Sequence, residues 1–438
     1  MSAPESPLSP STSAPSAIGI VGGGQLAWML AAAARELAIP LVVQTPAADD
    51  PAVQLASEVV LAAVDDPAGT AELARRTRAI SFENEWVPIA ALAELERQGV
   101  RFLPSLAALE PLVSKRRQRD LLNSLHLPCP AWCSLDLVLR PPQPEDTGDG
   151  DDADDQACSE ATWSDGPRRC QEPQPPQLPP WLRFPVMAKA SRGGYDGRGT
   201  RTLADQTALE ALVAEVDPDD WILEQQIAFE RELALVACRD NDGAVHTYPL
   251  VETHQHQCIC DWVRLPAPVD HTVEAFARNV AASLLTALNY VGVLSIEFFY
   301  GPGGLLVNEL APRTHNSGHL TIEACRTSQF AQQLRIVAGL PTGPTEAVLP
   351  GALMVNLLGF EHRDGEDPAA AYGEQRAALA GLPGAALHWY GKRGSAPGRK
   401  LGHITLPLTA TDGPQAEAEV AQRLLAVRNI WPLPPERG

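Results

Sequence analysis

Along most of the chain, short apolar runs alternate with alanine- and leucine-rich stretches of helical spacing, the pattern of strands followed by helices. It begins at Ala17, where AIGIVGGGQLAWMLAAAARELAIPLVVQT predicts a strand, a glycine turn, a helix from about Leu26 to Leu37 and a second strand at Pro40 to Gln44. SEVVLAAVDD, TRAISFENEWVP and VRFLPS carry the alternation on and close a small parallel-sheet domain by about Ser105. Next, LEPLVSKRRQRDLLNSLHLPCPAW predicts a helix ending before Pro128, with the four basic residues of Lys115 to Arg119 on a solvated face. Strands then dominate through DDWILEQQIAFERELALVACRD, GAVHTYPLVETHQHQCICDWVRLPAP, VGVLSIEFFY and GLLVNELAPRTHNSGH, interrupted by a helix at about Val273 to Leu288. A small C-terminal unit follows, ending in a helix from Gln415 to Val427.

Two segments break the pattern. Residues 1–16 are mainly Ser, Pro and Ala, and residues 139–180 are mainly Asp, Glu, Pro and Gln. Both hold too few apolar groups to offset the entropy of ordering, so they read as a disordered tail and a disordered acidic insertion. The insertion supplies a good share of the formal charge of -20. That charge argues against a general affinity for nucleic acid or anionic membrane, and any anionic ligand must be small and locally held. No apolar run is long enough to span a bilayer and the N-terminus lacks the pattern of a signal peptide, so the expectation is a soluble, cytoplasmic protein. The 438 residues suffice for about three domains. The eight cysteines lack close pairing and read as reduced thiols. His254, His256, Cys258 and Cys260 alternate, which in one strand would put them on one face, but too evenly strung out to close a tetrahedral metal site.

Chemistry concentrates in a few places. In AKASRGGYDGRG, Ala188 to Gly199, a strand delivers Lys189 into a glycine loop with Arg192 and Arg198. Glycines let main-chain N–H groups approach an anion closely, so this is either a phosphate grip or a mobile surface hairpin. No Gly-Lys-Ser/Thr closes it, so it is not a Walker A loop. Gly22, Gly24 and Ala27 match a loose G-x-G-x-x-A, which makes an NAD-dependent dehydrogenase the rival reading, although Val43-Gln44-Thr45 offers no carboxylate to a ribose. Glu83 and Glu85 follow the strand Ala79 to Phe82, at the strand end where open α/β sheets bind ligands, or in a solvated loop. Glu297 and Glu309 stand inside apolar strands. An acid there is costly to bury uncompensated, and two on adjacent strands suggest a hard cation, with magnesium and ATP phosphates the natural candidate. Asn308, Arg313, His315, Asn316 and Ser317 crowd polar groups around the turn that follows, fit to orient an oxyanion. Lys392, Arg393, Arg399 and Lys400 form a second anion grip, and two grips suit an ATP-dependent ligase.

Ten segments in this order, IGIVGGGQLAWML, FENE, LHLPCPAW, GGYDGRG, LEQQIAFERELALV, YPLVE, VGVLSIEFF, NELAPRTHNSGH, MVNLLG and HWYGKRGSAPGRKLGHI, resemble the N5-carboxyaminoimidazole ribonucleotide synthases, bicarbonate-using ATP-grasp enzymes of purine biosynthesis. The resemblance runs from about Ala17 to the C-terminal helix, leaving out the tail and the insertion. It implies a mixed α/β and α+β architecture: a Rossmann-like pre-ATP-grasp domain at 17–114, an ATP-grasp domain at 115–345 with its lid at about 181–252, and a C-terminal domain at 346–438.

The resemblance also implies roles. Lys115 and Lys189 touch ATP phosphates, and Gly194, Tyr195, Asp196, Gly197, Arg198, Gly199 and Thr200 form a mobile lid loop. Glu224, Gln225, Gln226 and Ile227 line the adenine pocket, Glu232 meets the ribose, and Gln255 stands on the nucleotide side where many relatives carry histidine. Glu297 and Glu309 hold Mg2+, helped by Asn308. Arg313 and Lys189 carry the chemistry, the guanidinium fork of Arg313 orienting bicarbonate and carboxyphosphate beside His315 and Asn316. Gly24, Gln25, Leu26 and Glu83 or Glu85 face 5-aminoimidazole ribonucleotide, and Lys392, Arg399 and Lys400 bind its phosphate. The implied partners are these small molecules and a second copy of the chain in a homodimer. Sister ATP-grasp ligases, such as a biotin carboxylase or a formate-dependent glycinamide ribonucleotide ligase, share the metal acids but should differ at HWYGKRG. A catalytically silent scaffold would be expected to lose Glu297, Glu309 or Arg313, and all three are present.

Overall fold

The structure, a computed structural model, describes residues 16–139, 175–194, 197, 199–365 and 370–435. Most of the tail, nearly all of the acidic insertion, and Tyr195, Asp196 and Arg198 of the glycine loop lie outside the described residues.

The opening alternation folds as a four-stranded parallel sheet in the order Glu58–Leu61, Leu41–Thr45, Ile18–Val21, Ala79–Phe82. Alanines let the first helix, Gln25–Glu36, pack closely: Ala27, Leu30, Ala31 and Ala34 are buried in one cluster with Phe330, Leu334 and Val337 of the helix Gln329–Val337. This helix from late in the chain thereby belongs to the core of the N-terminal sheet.

The later strands form a nine-stranded sheet. Its main path runs Gly304–Ala311, Gly292–Gly301, Arg231–Arg239, Val251–His256, Ile259–Leu265, Gly351–Leu358, Lys400–Leu408, Ala386–Trp389. The wholly buried strand Gly351–Leu358 pairs with Ile259–Leu265, so the C-terminal strands extend the sheet begun before them. The helix His271–Ala287 covers one face, where Leu233, Leu235, Ile296, Phe298, Val307 and Leu310 join its apolar side. Period-two alternation then turns Glu232, Glu297 and Glu309 to the opposite face. The helix Gly413–Ile430 leads to the buried Trp431, which packs on Tyr372, Trp389 and Phe360.

A second compact unit comprises the described residues within 131–191 and 199–226. Its antiparallel sheet runs Trp132–Ser134, Trp221–Gln225, Val186–Ala190, Thr200–Leu203, over a core that includes Cys133, Val186, Leu209 and Leu223.

Two expectations are corrected. The alternating His254, His256, Cys258 and Cys260 do not share one strand: Gln257 and Cys258 turn a hairpin with φ of 52° and 64° between Val251–His256 and Ile259–Leu265. The basic helix Lys115–Ser124 is not solvated throughout, because it packs against the strand Gly304–Ala311. There Arg119 is buried and donates to the Asn308 carbonyl at 2.5 Å, while Gln118 accepts the Leu310 N–H and donates to the Leu310 carbonyl. No helix among the described residues is long and apolar enough to cross a membrane.

Candidate active site

The glycine turn after the first strand is filled from inside. Glu83, at the end of Ala79–Phe82, accepts N–H bonds from Gly24 at 2.7 Å, Leu26 at 3.0 Å and Ala27 at 3.3 Å. A carboxylate on the exposed amides at a helix N-terminus is favourable. Burial pushes the Glu83 carboxyl up, and these three amides oppose the shift. A Cβ on Gly22 or Gly24 would lie 2.5 Å from a Glu83 oxygen, so the glycines admit this side chain. The dehydrogenase reading fails here, since a pyrophosphate would need the amides that Glu83 holds. Gly24 and Leu26 also present these amides to Glu83 and not outward. Gln25 faces elsewhere: its side chain accepts a hydrogen bond from Lys392, whose ammonium also lies 5.5 Å from the Tyr390 ring centre.

On the acidic face, Glu297 and Glu309 are direct cross-strand partners. The pairing then slips so that Phe298 meets Val307, leaving Asn308 as the extra residue of a bulge, a device that re-aims side chains. The Glu297 side chain is 21% exposed. Burial raises its carboxyl well above the ordinary range, and Glu309 and Glu232 push the same way. Burial likewise lifts Glu232 to about 7, opposed by His254. Lys115 donates to Glu309 at 2.8 Å, so this lysine sits within the acidic group. On the strand Val251–His256, Thr253 pairs with Glu232, and Gln255 lies two residues further, just past a second register shift.

The turn after Gly304–Ala311 holds the oxyanion candidates. Arg313 binds Glu85 through Nε at 2.5 Å and Nη2 at 3.2 Å, and also donates to the Thr314 carbonyl. Burial works against its charge, yet Glu85 keeps the guanidinium above its usual value. The His315 imidazole meets Ser317 through Nδ1 at 3.0 Å, and its Nε2 lies 3.7 Å from Glu297. Burial and the nearby Arg313 and Lys400 lower it to about 3, so it is neutral at physiological pH. Asn316 forms a reciprocal amide pair with Asn356, at 3.0 and 2.7 Å. Arg399 donates to the carbonyls of Arg393 and Gly394, which closes the turn Lys392 to Lys400 on itself.

In the second unit, Lys189 pairs with the buried Glu224 at 2.7 Å. They stand on the adjacent strands Val186–Ala190 and Trp221–Gln225, with Gln225 ending the latter and Gln226 just beyond it. Thr200 starts the strand Thr200–Leu203, preceded by Gly199 with φ of 73°. Gly194, Gly197, Ile227 and Glu232 group with the first unit.

Sequence reasoning passed over Asn356, Gln329 and Ser295. Asn356 is the single polar residue of a wholly buried strand, Ser295 is a buried hydroxyl in the apolar first half of the strand that also carries Glu297, and Gln329, Gln332 and Gln333 recur at helical spacing among apolar residues. A polar group on a buried stripe was the available signal. Its partner was not.

Three family models match the chain: ribonucleotide synthetase preATP-grasp domain at residues 16–112, ATP-grasp domain at 174–330, and phosphoribosylaminoimidazole carboxylase C-terminal domain at 352–418. An N5-carboxyaminoimidazole ribonucleotide synthase of Synechococcus elongatus is 46% identical over 418 residues, covering 95% of this chain and 96% of the relative. The crystal structure of N5-carboxyaminoimidazole ribonucleotide synthetase from Thermus thermophilus matches at a TM-score of 0.74 with 31% identity, over 96% of this chain and all of the other. N5-carboxyaminoimidazole synthase from Aspergillus clavatus, solved in complex with ADP and 5-aminoimidazole ribonucleotide, matches at 0.75 with 26% identity, over 95% and 99%.

Proposed function

Because the chain belongs to the N5-carboxyaminoimidazole ribonucleotide synthase family, we propose that it carboxylates 5-aminoimidazole ribonucleotide to N5-carboxyaminoimidazole ribonucleotide at the expense of ATP, a ligase step of purine biosynthesis. The observation that carries this reading is the juxtaposition, at one end of one hairpin, of the paired acids Glu297 and Glu309 with the Arg313 to Ser317 turn. Acids suited to a cation and a guanidinium suited to an oxyanion are what joining bicarbonate to a phosphoryl group requires.

In this reading bicarbonate oxygen attacks the γ-phosphorus of ATP, the bond to the ADP oxygen breaks, and carboxyphosphate forms. The exocyclic amine of the ribonucleotide then takes the carboxyl group, directly or as carbon dioxide, and phosphate leaves. Arg313, its fork turned by Glu85, orients the bicarbonate and then the carboxyphosphate. Neutral His315 offers one ring nitrogen to the same oxyanion, while Ser317 fixes the other. Lys392, Arg399 and Lys400 take the ribonucleotide phosphate, with Gln25 beside Lys392. Lys115 and Lys189 are each held by a carboxylate, and in the reading both turn to ATP phosphates when nucleotide enters. Glu232 takes the ribose, and Glu224 to Ile227 line the adenine pocket.

Magnesium fits Glu297 and Glu309, with Asn308 beside them. The raised carboxyl of Glu297 reflects like charges gathered in a poorly hydrated place, which a dication relieves. Two carboxylates alone do not complete an octahedron, and nucleotide phosphates supply the remaining oxygens in sites of this kind. When bound, the ion would neutralise the phosphate charge that develops during transfer. A cytoplasmic homodimer completes the proposal, on the resemblance alone.

The deciding experiment is ADP release by the purified protein with ATP and Mg2+. Turnover should require bicarbonate and 5-aminoimidazole ribonucleotide together, and failure to release ADP with both present overturns the reading.

A further inference from the structure

The helix Gln329–Val337 buries three glutamines, Gln329, Gln332 and Gln333, at 0%, 0% and 3% exposure. A buried amide is costly unless its donors and acceptor are matched, and each of these is matched at least twice. Gln329 accepts the His315 N–H at 2.9 Å and donates to the His315 carbonyl at 2.6 Å. Gln332 clasps Gly343 in the same way, accepting at 2.9 Å and donating at 3.1 Å. Gln333 accepts the Val293 N–H at 2.6 Å and donates to the Ser81 hydroxyl at 2.8 Å.

Gln329 and Gln333 are one helical turn apart and share a face. The first holds the residue two places after Arg313. The second holds Ser81, inside the parallel strand whose end carries Glu83 and Glu85. Those two ends meet in the Arg313–Glu85 pair. Gly318 leaves room for this, because a Cβ there would lie 2.6 Å from the Gln329 amide carbon.

We propose that Gln329 and Gln333 are positioning residues: their helix sets the separation between the end of the parallel strand and the oxyanion turn, so that the Arg313 fork meets bicarbonate at a fixed place and angle. Gln332 makes an equivalent clasp on a loop outside this relation and serves as an internal control. The proposal rests on the ligase reading above, and one arm of its test does not.

The near-isosteric variants Gln329→Met, Gln333→Met and Gln332→Met are compared well below their unfolding temperatures. Gln329→Met and Gln333→Met should lower kcat/KM for bicarbonate about tenfold while KM for ATP stays within about twofold, since small misplacement is costly to an oriented reaction. Gln332→Met, with a similar loss of unfolding stability, should leave both constants within about twofold. Gly318→Ala, which presses on the Gln329 amide from the other side, should reproduce the Gln329→Met signature and serves if Gln329→Met does not fold. Independently of turnover, hydrogen exchange at residues 313–318 should quicken about tenfold in Gln329→Met or Gly318→Ala and stay unchanged in Gln332→Met. Equal kinetic effects of Gln329→Met and Gln332→Met, or unchanged exchange at 313–318, overturn the proposal. Absence of bicarbonate-dependent turnover in the unmodified protein overturns the ligase reading instead, and the exchange arm still decides the clasp.

Discussion

Arg313 and Glu85, 228 residues apart in sequence, are joined by two hydrogen bonds, from Nε at 2.5 Å and from Nη2 at 3.2 Å. The pair is mostly buried, with the two side chains 17% and 21% exposed. A guanidinium held through two of its donors has its plane fixed, which sets where its remaining donors point.

Arg313→Lys should therefore not rescue function. A point charge on a flexible stem keeps the attraction to Glu85 but loses the fork, and kcat/KM for bicarbonate should fall by about tenfold or more. Arg313→Ala strands Glu85 without its partner and should also lower stability by about 3 kcal/mol, as breaking a buried pair does. Bicarbonate-dependent ADP release and urea unfolding measure the two effects. Full activity of Arg313→Lys would remove the fork from the mechanism.

Glu309→Gln should abolish turnover, by roughly a hundredfold or more, while the fold persists. It removes a proposed metal ligand worth several kcal/mol of charge stabilisation and releases Lys115. Far-UV circular dichroism and ADP release separate loss of fold from loss of chemistry. Undiminished activity would take Glu309 out of the metal site.

Glu83→Ala should destabilise the N-terminal sheet by about 1–3 kcal/mol, because three main-chain amides lose their acceptor. Gly24→Ala should act in the same direction by driving a Cβ into the Glu83 carboxylate. Thermal unfolding reads both, and a neutral Glu83→Ala would show that water replaces the carboxylate without loss.

His319 and His403 are fully buried with rings 4.9 Å apart, and burial holds both far below the ordinary histidine range. They stay neutral when folded, whereas the unfolded chain protonates them near pH 6.5. The stability they contribute is present above that pH and is lost as pH falls below it, by at most about 1.4 kcal/mol per pH unit for each histidine. Glu232, whose carboxyl is lifted to about 7, acts oppositely: folding is disfavoured as pH rises from about 4.3 towards 7. The histidine contribution is therefore read as the difference between the protein and His403→Phe in urea midpoints from pH 7 to 5. Parallel pH dependences would show that His403 already ionises in the folded state.

The local pattern carried far. The strand Ala79 to Phe82 appears with the bounds read from sequence, and the helix expected from about Leu26 to Leu37 spans Gln25–Glu36. Such features follow from the period of apolar residues and from glycine, which act over a few residues. The turn between His256 and Ile259 was missed because Gln257 and Cys258, both at positive φ, are not the glycine, asparagine or aspartate that usually marks a two-residue hairpin.

By itself the sequence determined the strand and helix alternation, the glycine turns and the placement of acids inside apolar strands, hence the class of chemistry and the family. Only the tertiary structure decided partners: that Glu83 fills the glycine turn, that Lys115 meets Glu309 and Arg313 meets Glu85, and that the buried Gln329 and Gln332 clasp loops while Gln333 ties two strands. Those pairings join residues far apart in the chain, and a polar side chain's environment depends on which strands and helices the fold brings beside it.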